Sequence, residues 1–226
     1  MNTATVRADH DTLSLPKDRK TTSIPRLTKL AAATVGFDRL PAQESTVSWC
    51  TPPELIWGSP REEFTGLGPF DLDPCTPKEG MPWPTARLML TEEEDGLTTP
   101  WNEKSFFYMN PPFGKGQEAW MQKAASHPGG GIGLVFARTE TRWFQRHVFK
   151  HPGVSAIVFQ QGRLAFHRVD GTLGKAPPCG AVWIGYGPEA ARRLKLAVGE
   201  GLIRGTYLDL SQMSRVATDL EAANHE

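Results

Sequence analysis

No stretch of this sequence is apolar for long enough to cross a bilayer, and its N-terminus lacks the apolar core that a signal peptide needs. A cytoplasmic protein is therefore expected. Charge is balanced, 25 basic residues against 25 acidic, so any polyanion must be held by a local patch and not by the net field. The three cysteines, Cys50, Cys75 and Cys179, are far apart and show no CxxC spacing, which argues against a disulfide framework or a structural zinc site. We read them as reduced, small hydrophobes. His147 and His151 sit four apart with no evident third ligand, so no metal is expected. The chain also lacks GxxxxGK, the phosphate cradle of a nucleotide-binding α/β domain of unrelated chemistry.

What is present is an alternation of short apolar runs and amphipathic segments. Residues 46–210 are expected to form one domain, flanked by polar tails at 1–45 and 211–226. Within the tails only LTKLAAATVGF, from Leu27, and RVATDLEAA have helical character. Five runs read as strands covered on both faces: GPFDLD (68–73), SFFYMN (105–110), GIGLVFA (131–137), VSAIVFQ (154–160) and GAVWIGYG (180–187). Helical patterns follow the second, third and fifth. They are QEAWMQKAASH, TETRWFQRHVFKH with Thr139 as its N-cap and Phe144 and Val148 on one face, and PEAARRLKLAVGEG with Pro188 in its first turn. Trp183 is assigned to the sheet interior and Phe144 to the core. The last two strands are joined by QGRLAFHRVDGTLGKAPPC, whose Asp170-Gly171 turn predicts an antiparallel, hairpin-like excursion. The order implies a largely parallel α/β sheet, which places ligands beyond the carboxyl ends of the strands. Asp73 and Asn110 stand at two such ends.

Asn110-Pro111-Pro112-Phe113 has a chemistry of its own. The asparagine offers an uncharged amide acceptor, the prolines fix φ and remove two N–H donors, and the phenylalanine presents a flat apolar face. Together they suit a planar base bearing an exocyclic amine: two carbonyl acceptors take the N–H protons while the ring stacks. A turn with Phe113 plugging the core is the competing structural account of the same four residues. WCTPPE (49–54) places Thr51 as the cap of a helix with prolines in its first turn, leaving backbone donors for a carboxylate. FDLDPC puts Asp73 where it suits a ligand ammonium, and EEEDGL (92–97) adds an acidic cluster before the strand that delivers Asn110. A ligand with a carboxylate, an ammonium and an aminopurine satisfies all three; S-adenosylmethionine is that ligand.

The ordered set TPPE, DLDPC, EEDGL…W, NPPF, ARTETRWF and GRLAF, over residues 48–187, resembles the phage-type DNA N-6-adenine methyltransferase family. The resemblance implies a class I, Rossmann-like methyltransferase fold: a mixed sheet, mostly parallel with an antiparallel last strand. It implies S-adenosylmethionine as methyl donor and adenine N6 in DNA as acceptor, in the cytoplasm of a bacterium or a phage-infected host. By position, Asn110 and the Pro111 carbonyl would orient the amine, Pro112 would shape the turn and Phe113 would stack on the base. Thr51 and Pro52, with Asp73 and Pro74, would contact the methionine part of the donor, and Asp95 its adenine or ribose. The family's usual GxG turn after the first strand is replaced by DPCTPKEG, and only about thirty residues separate Asp73 from the next expected strand, so either this half of the sheet is abbreviated or the donor site is rebuilt.

For DNA, the sequence offers Arg138, Arg142, Arg146 and Lys150 along one segment and Arg163, Arg168 and Lys175 in the excursion, with Lys115 between two glycines. A solvated surface is the alternative fate of these charges. Cytosine N4, RNA or a protein side chain are rival acceptors, since each needs the same amine grip. A catalytically inactive nucleic-acid-binding relative is the rival that the missing GxG turn favours.

Overall fold

The computed structural model of the protein describes residues 49–58, 66–114 and 116–211. Lys115 and nearly all of both expected tails lie outside the described residues. The strands are β1 (Leu72–Asp73), β2 (Leu88–Met89), β3 (Phe107–Met109), β4 (Gly131–Phe136), β5 (Val154–Gln160), β6 (Ala181–Tyr186) and β7 (Gly205–Asp209). They pair in the order β2-β1-β3-β4-β6-β5-β7. β2, β1, β3 and β4 run parallel. β6 is inserted antiparallel between β4 and β5, and β7 closes the edge antiparallel to β5. This is the mixed sheet expected of a class I methyltransferase fold.

Two helical layers cover the sheet. α2 (Gln117–Ala125) and α3 (Arg142–Phe144), the latter continued by a π-helix over Gln145–Phe149, pack on one face through Trp120, Met121, Phe144 and Val148. α1 (Pro53–Trp57) and α4 (Pro188–Gly199) pack on the other through Leu55, Ile56, Ala190 and Leu194. Strands buried on both sides explain the continuous apolar runs. Trp183 is fully buried in the second layer, as its run implied. α4 has proline in its first turn, and Gly201, at φ +74°, turns the chain towards β7.

Several expectations need correction. The helix after β4 is capped by Thr141, whose Oγ1 accepts from the Phe144 N–H at 3.4 Å, and not by Thr139. A tight turn, from the Thr141 N–H to the Arg138 carbonyl at 3.0 Å, delays the helix by two residues. Thr51 does not cap α1: the N-cap is Pro52, and no side chain caps that end. The sheet also has two strands more than the five expected. β2 is two residues long, too short to register as a run, and lies in the interval that seemed abbreviated. β7 is an edge strand, mostly solvent-facing, whose sequence GTYLD carries no apolar run. The excursion between β5 and β6 is hairpin-like, with antiparallel bridges from His167 to Leu173 and to Cys50.

Candidate active site

From β1 the chain crosses to β2 on one side and then returns to place β3 on the other. Such a switch point, at the carboxyl ends of the strands, is where an open α/β sheet holds its ligand. Asp73 ends β1 and Asn110 directly follows β3. Strand alternation sends Phe107 and Met109 into one core and Tyr108 into the other. Asn110 therefore shares the face of Tyr108, towards residues 49–51.

There the Asn110 Nδ2 donates to the Trp49 carbonyl and lies 3.4 Å from Thr51 Oγ1. A carbonyl can only accept, so this contact fixes which end of the amide is nitrogen. Oδ1 points elsewhere, is buried and has no hydrogen-bond partner among the described residues. A buried acceptor left unpaired costs about 1–3 kcal/mol, which a ligand N–H would remove. The Thr51 hydroxyl shares a short hydrogen bond with the Tyr108 hydroxyl, and both residues are buried. The 49–51 segment is itself pinned. Cys50 and His167 exchange backbone hydrogen bonds of 2.9 and 2.8 Å, and the Trp83 Nε1 donates to the Thr51 carbonyl at 3.0 Å.

Asp73 is 3% exposed. One carboxylate oxygen accepts from the Thr85 hydroxyl and the other from the Cys75 N–H at 3.2 Å. Burial nevertheless pushes its pKa up to about 6, and those hydrogen bonds offset only part of the effect. A carboxylate so placed gains from a cation beside it. The Cys75 thiol lies between the two strand ends: burial raises its pKa well above the ordinary value, Asp73 adds to the rise, and a hydrogen bond with the Asn110 backbone opposes it. Pro52, Pro74 and Pro111 are buried, whereas Pro112 is exposed.

Asp95 adopts φ +43°, and its carboxylate closes its own turn by accepting from the Leu97 N–H at 3.1 Å and the Thr98 hydroxyl at 2.9 Å. The next residue, Gly96, lies so close to the end of β1 that a Cβ there would stand 1.8 Å from the Pro74 carbonyl oxygen. The acidic turn thus belongs to the same end of the sheet as Asp73. Phe113 stacks on Phe136 at the end of β4, with ring centroids 3.8 Å apart and planes 9° from parallel.

The basic residues divide. Burial raises the Cys179 thiol above its ordinary pKa, and the positive charges of Arg138 and Arg163 oppose that rise. Arg138 is also paired with Glu140 at 2.7 Å, both exposed. Arg142, Arg146 and Lys150 are exposed along the α3–π segment, and Arg168 and Lys175 in the excursion. Arg168 donates to Thr172 at 3.2 Å.

The structure brings Thr51, Asp73, Asn110 and the 94–99 turn to one end of the sheet. Sequence reasoning missed Trp49, Tyr108 and Thr85 as their partners, and Phe136 as the ring beneath Phe113. Tyr108 was within reach, because a period of two puts it on the face of Asn110; Thr85 lies in a loop with no periodic signal.

The family model described as DNA N-6-adenine-methyltransferase (Dam) matches residues 40–180, more than half of the chain. No curated protein and no solved structure gives a match.

Proposed function

Because the chain belongs to the DNA N-6-adenine-methyltransferase (Dam) family, we propose that it methylates N6 of adenine in DNA, using S-adenosylmethionine as donor and a base turned out of the duplex into the Asn110–Phe113 pocket. The observation that carries this reading is the Asn110 side chain, whose nitrogen is committed to Trp49 and Thr51 and whose buried Oδ1 has no partner among the described residues. It is an oriented, uncharged acceptor at the switch point of the sheet.

In this reading Oδ1 accepts one N–H of the exocyclic amine and the Pro111 carbonyl accepts the other. Holding both protons out of the plane of a flat π-system favours a pyramidal nitrogen, whose lone pair is then available as a nucleophile. The acceptors act most strongly as positive charge develops on that nitrogen, which is the condition for lowering the barrier and not merely tightening binding. Phe113 supplies the stacking face that compensates for leaving the helix stack, a cost of a few kcal/mol.

The residues present also fit the donor. Asp73, buried and raised in pKa, is suited to the donor ammonium; Thr51-Pro52 and Pro74 line its methionine end, and the turn at Asp95-Gly96 lies towards its nucleoside. When bound, S-adenosylmethionine supplies a methyl group activated by a sulfonium. Arg138, Arg142 and Arg163, with Lys115, are proposed to hold DNA phosphates.

The test is transfer of labelled methyl from S-adenosylmethionine to duplex DNA, RNA and protein, followed by nucleoside analysis. Label in N6-methyladenine from DNA alone is the expected result. Label in 4-methylcytosine, in RNA or in protein would replace the acceptor assignment, and a protein that binds DNA without transferring label is the inactive relative.

A further inference from the structure

Lys123 is a partly buried cation that the catalytic reading leaves unused, and its surroundings are specific. It sits on α2, the helix that starts directly after the Asn110–Phe113 loop. Its ammonium reaches back to the acidic turn and donates to three main-chain carbonyls: Gly96 at 3.0 Å, Leu97 at 2.7 Å and Thr99 at 2.7 Å. An ammonium has three protons, and each has an acceptor in this one turn. The charge also lies 4.9 Å from the centre of the Trp101 ring, whose Nε1 donates to the Gly96 carbonyl at 2.8 Å. No carboxylate closes an ion pair with Lys123 among the described residues, although the field of Asp95 reaches it.

The turn that it gathers is not a relaxed one. Asp95 has φ +43°, a left-handed conformation uncommon outside glycine, which its own side-chain hydrogen bonds support. The neighbouring Gly96 is pressed against Pro74, with no room for a side chain. Local bonds from Asp95 to Leu97 and Thr98 shape the turn, but they do not tie it to the rest of the molecule. Lys123 and Trp101 do so, from the helix that follows the acceptor loop and from the segment before β3.

We propose that Lys123 is a positioning residue for the donor: it gathers the carbonyls of the 96–99 turn and holds that turn against the end of β1, at the width that the donor nucleoside requires. The inference rests on the functional reading above, which places the donor beside this turn. It assigns Lys123 no contact with the reacting atoms. Loss of the ammonium leaves Asn110 and its acceptor in place and loosens only the donor side, so the effect falls on donor affinity.

The experiment is calorimetric titration of the full chain with S-adenosylmethionine, alongside steady-state kinetics on DNA, for wild type, Lys123→Met, Lys123→Arg and Trp101→Phe. Lys123→Met is expected to weaken donor binding and raise the donor KM by about tenfold, with kcat at saturating donor and the KM for DNA nearly unchanged. Lys123→Arg, which keeps the charge and its donors, recovers most of the loss. Trp101→Phe, which removes one bond to the Gly96 carbonyl, shifts affinity in the same direction by less. Unchanged donor affinity in Lys123→Met, or a loss confined to melting temperature and kcat, overturns the inference and leaves the function standing. A wild type that binds no donor overturns both. If Lys123→Met does not fold, Trp101→Phe decides: wild-type donor affinity in that variant counts against the role.

Discussion

Asn110 and Trp49, 61 positions apart in sequence, are joined by a hydrogen bond from the side-chain amide to the main-chain carbonyl. That bond, with the contact from the amide nitrogen to the Thr51 hydroxyl, gives the amide one orientation before any ligand arrives. An acceptor that need not reorient as charge develops is worth more than one that must. In the proposed reading, the segment from Trp49 to Thr51 therefore serves the acceptor side of the site as well as the donor side.

Removing the acceptor tests this directly. Asn110→Ala is expected to bind donor as wild type does and to lose about 10²–10³-fold in kcat, the usual loss for one preorganised transition-state hydrogen bond. Thr51→Val keeps the shape but removes a partner of the Asn110 nitrogen and of Tyr108, so kcat falls by less while DNA affinity holds. Single-turnover rates with donor in excess separate the two. Wild-type turnover in Asn110→Ala would end the proposal.

Asp73 carries a stability cost with a definite pH signature. Its folded pKa, about 6, lies above the ordinary value of 3.8, so between these values the folded state holds a proton that the unfolded state has lost. Stability accordingly falls as pH rises through this window and is then lower by about 3 kcal/mol at all higher pH. Asp73→Asn keeps acceptors and donors for Thr85 and Cys75 but removes the charge. It is expected to raise the urea midpoint at neutral pH, with the gain vanishing below the lower value. A variant less stable than wild type at neutral pH would show that the carboxylate is already compensated.

In the proposed reading the same group also governs donor affinity. An ammonium prefers the carboxylate, so below about pH 6 binding must expel the proton and affinity drops by up to about tenfold per pH unit. Asp73→Asn should bind donor weakly at every pH and lose that dependence. Titration calorimetry across the window measures both effects.

Much of this was legible before the structure, for identifiable reasons. The long buried strands β4, β5 and β6 announce themselves as apolar runs because helices cover both their faces. The positions of Asn110 and Asp73 at strand ends were legible because each closes a short apolar run with a polar side chain. β2 was hidden, since two residues carry no periodicity, and β7 was hidden because an edge strand facing water needs no apolar pattern. The Thr51 cap was misassigned for a physical reason: its hydroxyl bonds to Tyr108 across the fold, a contact between positions 57 apart that no local rule foresees. The register of Lys123 over the acidic turn is of the same kind, visible only once α2 is docked.

The basic patch is tested by salt. Each phosphate neutralised adds about 0.9 to the slope of log affinity against log salt, so Arg163→Ala should lower that slope by about 1 for any DNA sequence. Arg138 is held by Glu140 at 2.7 Å, and a phosphate must compete with that carboxylate. Glu140→Gln is therefore expected to tighten DNA binding at low salt. Binding that ignores salt, or that does not respond to either change, would remove these residues from the interface.

Phe113 presents the last point of decision, because one face of its ring already lies on Phe136 at 3.8 Å. If the other face receives the extruded adenine, Phe113→Leu should weaken the extruded state by about 1–3 kcal/mol, the usual worth of one base–aromatic stack. Fluorescence of 2-aminopurine at the target position reports this population. Phe136→Leu leaves the receiving face intact and removes only the backing ring, so a smaller loss is expected. Equal fluorescence from Phe113→Leu and wild type, with a lower melting temperature in the variant, would mean that Phe113 serves only to cover Phe136, and the base must then be held by Asn110 and Pro111 alone.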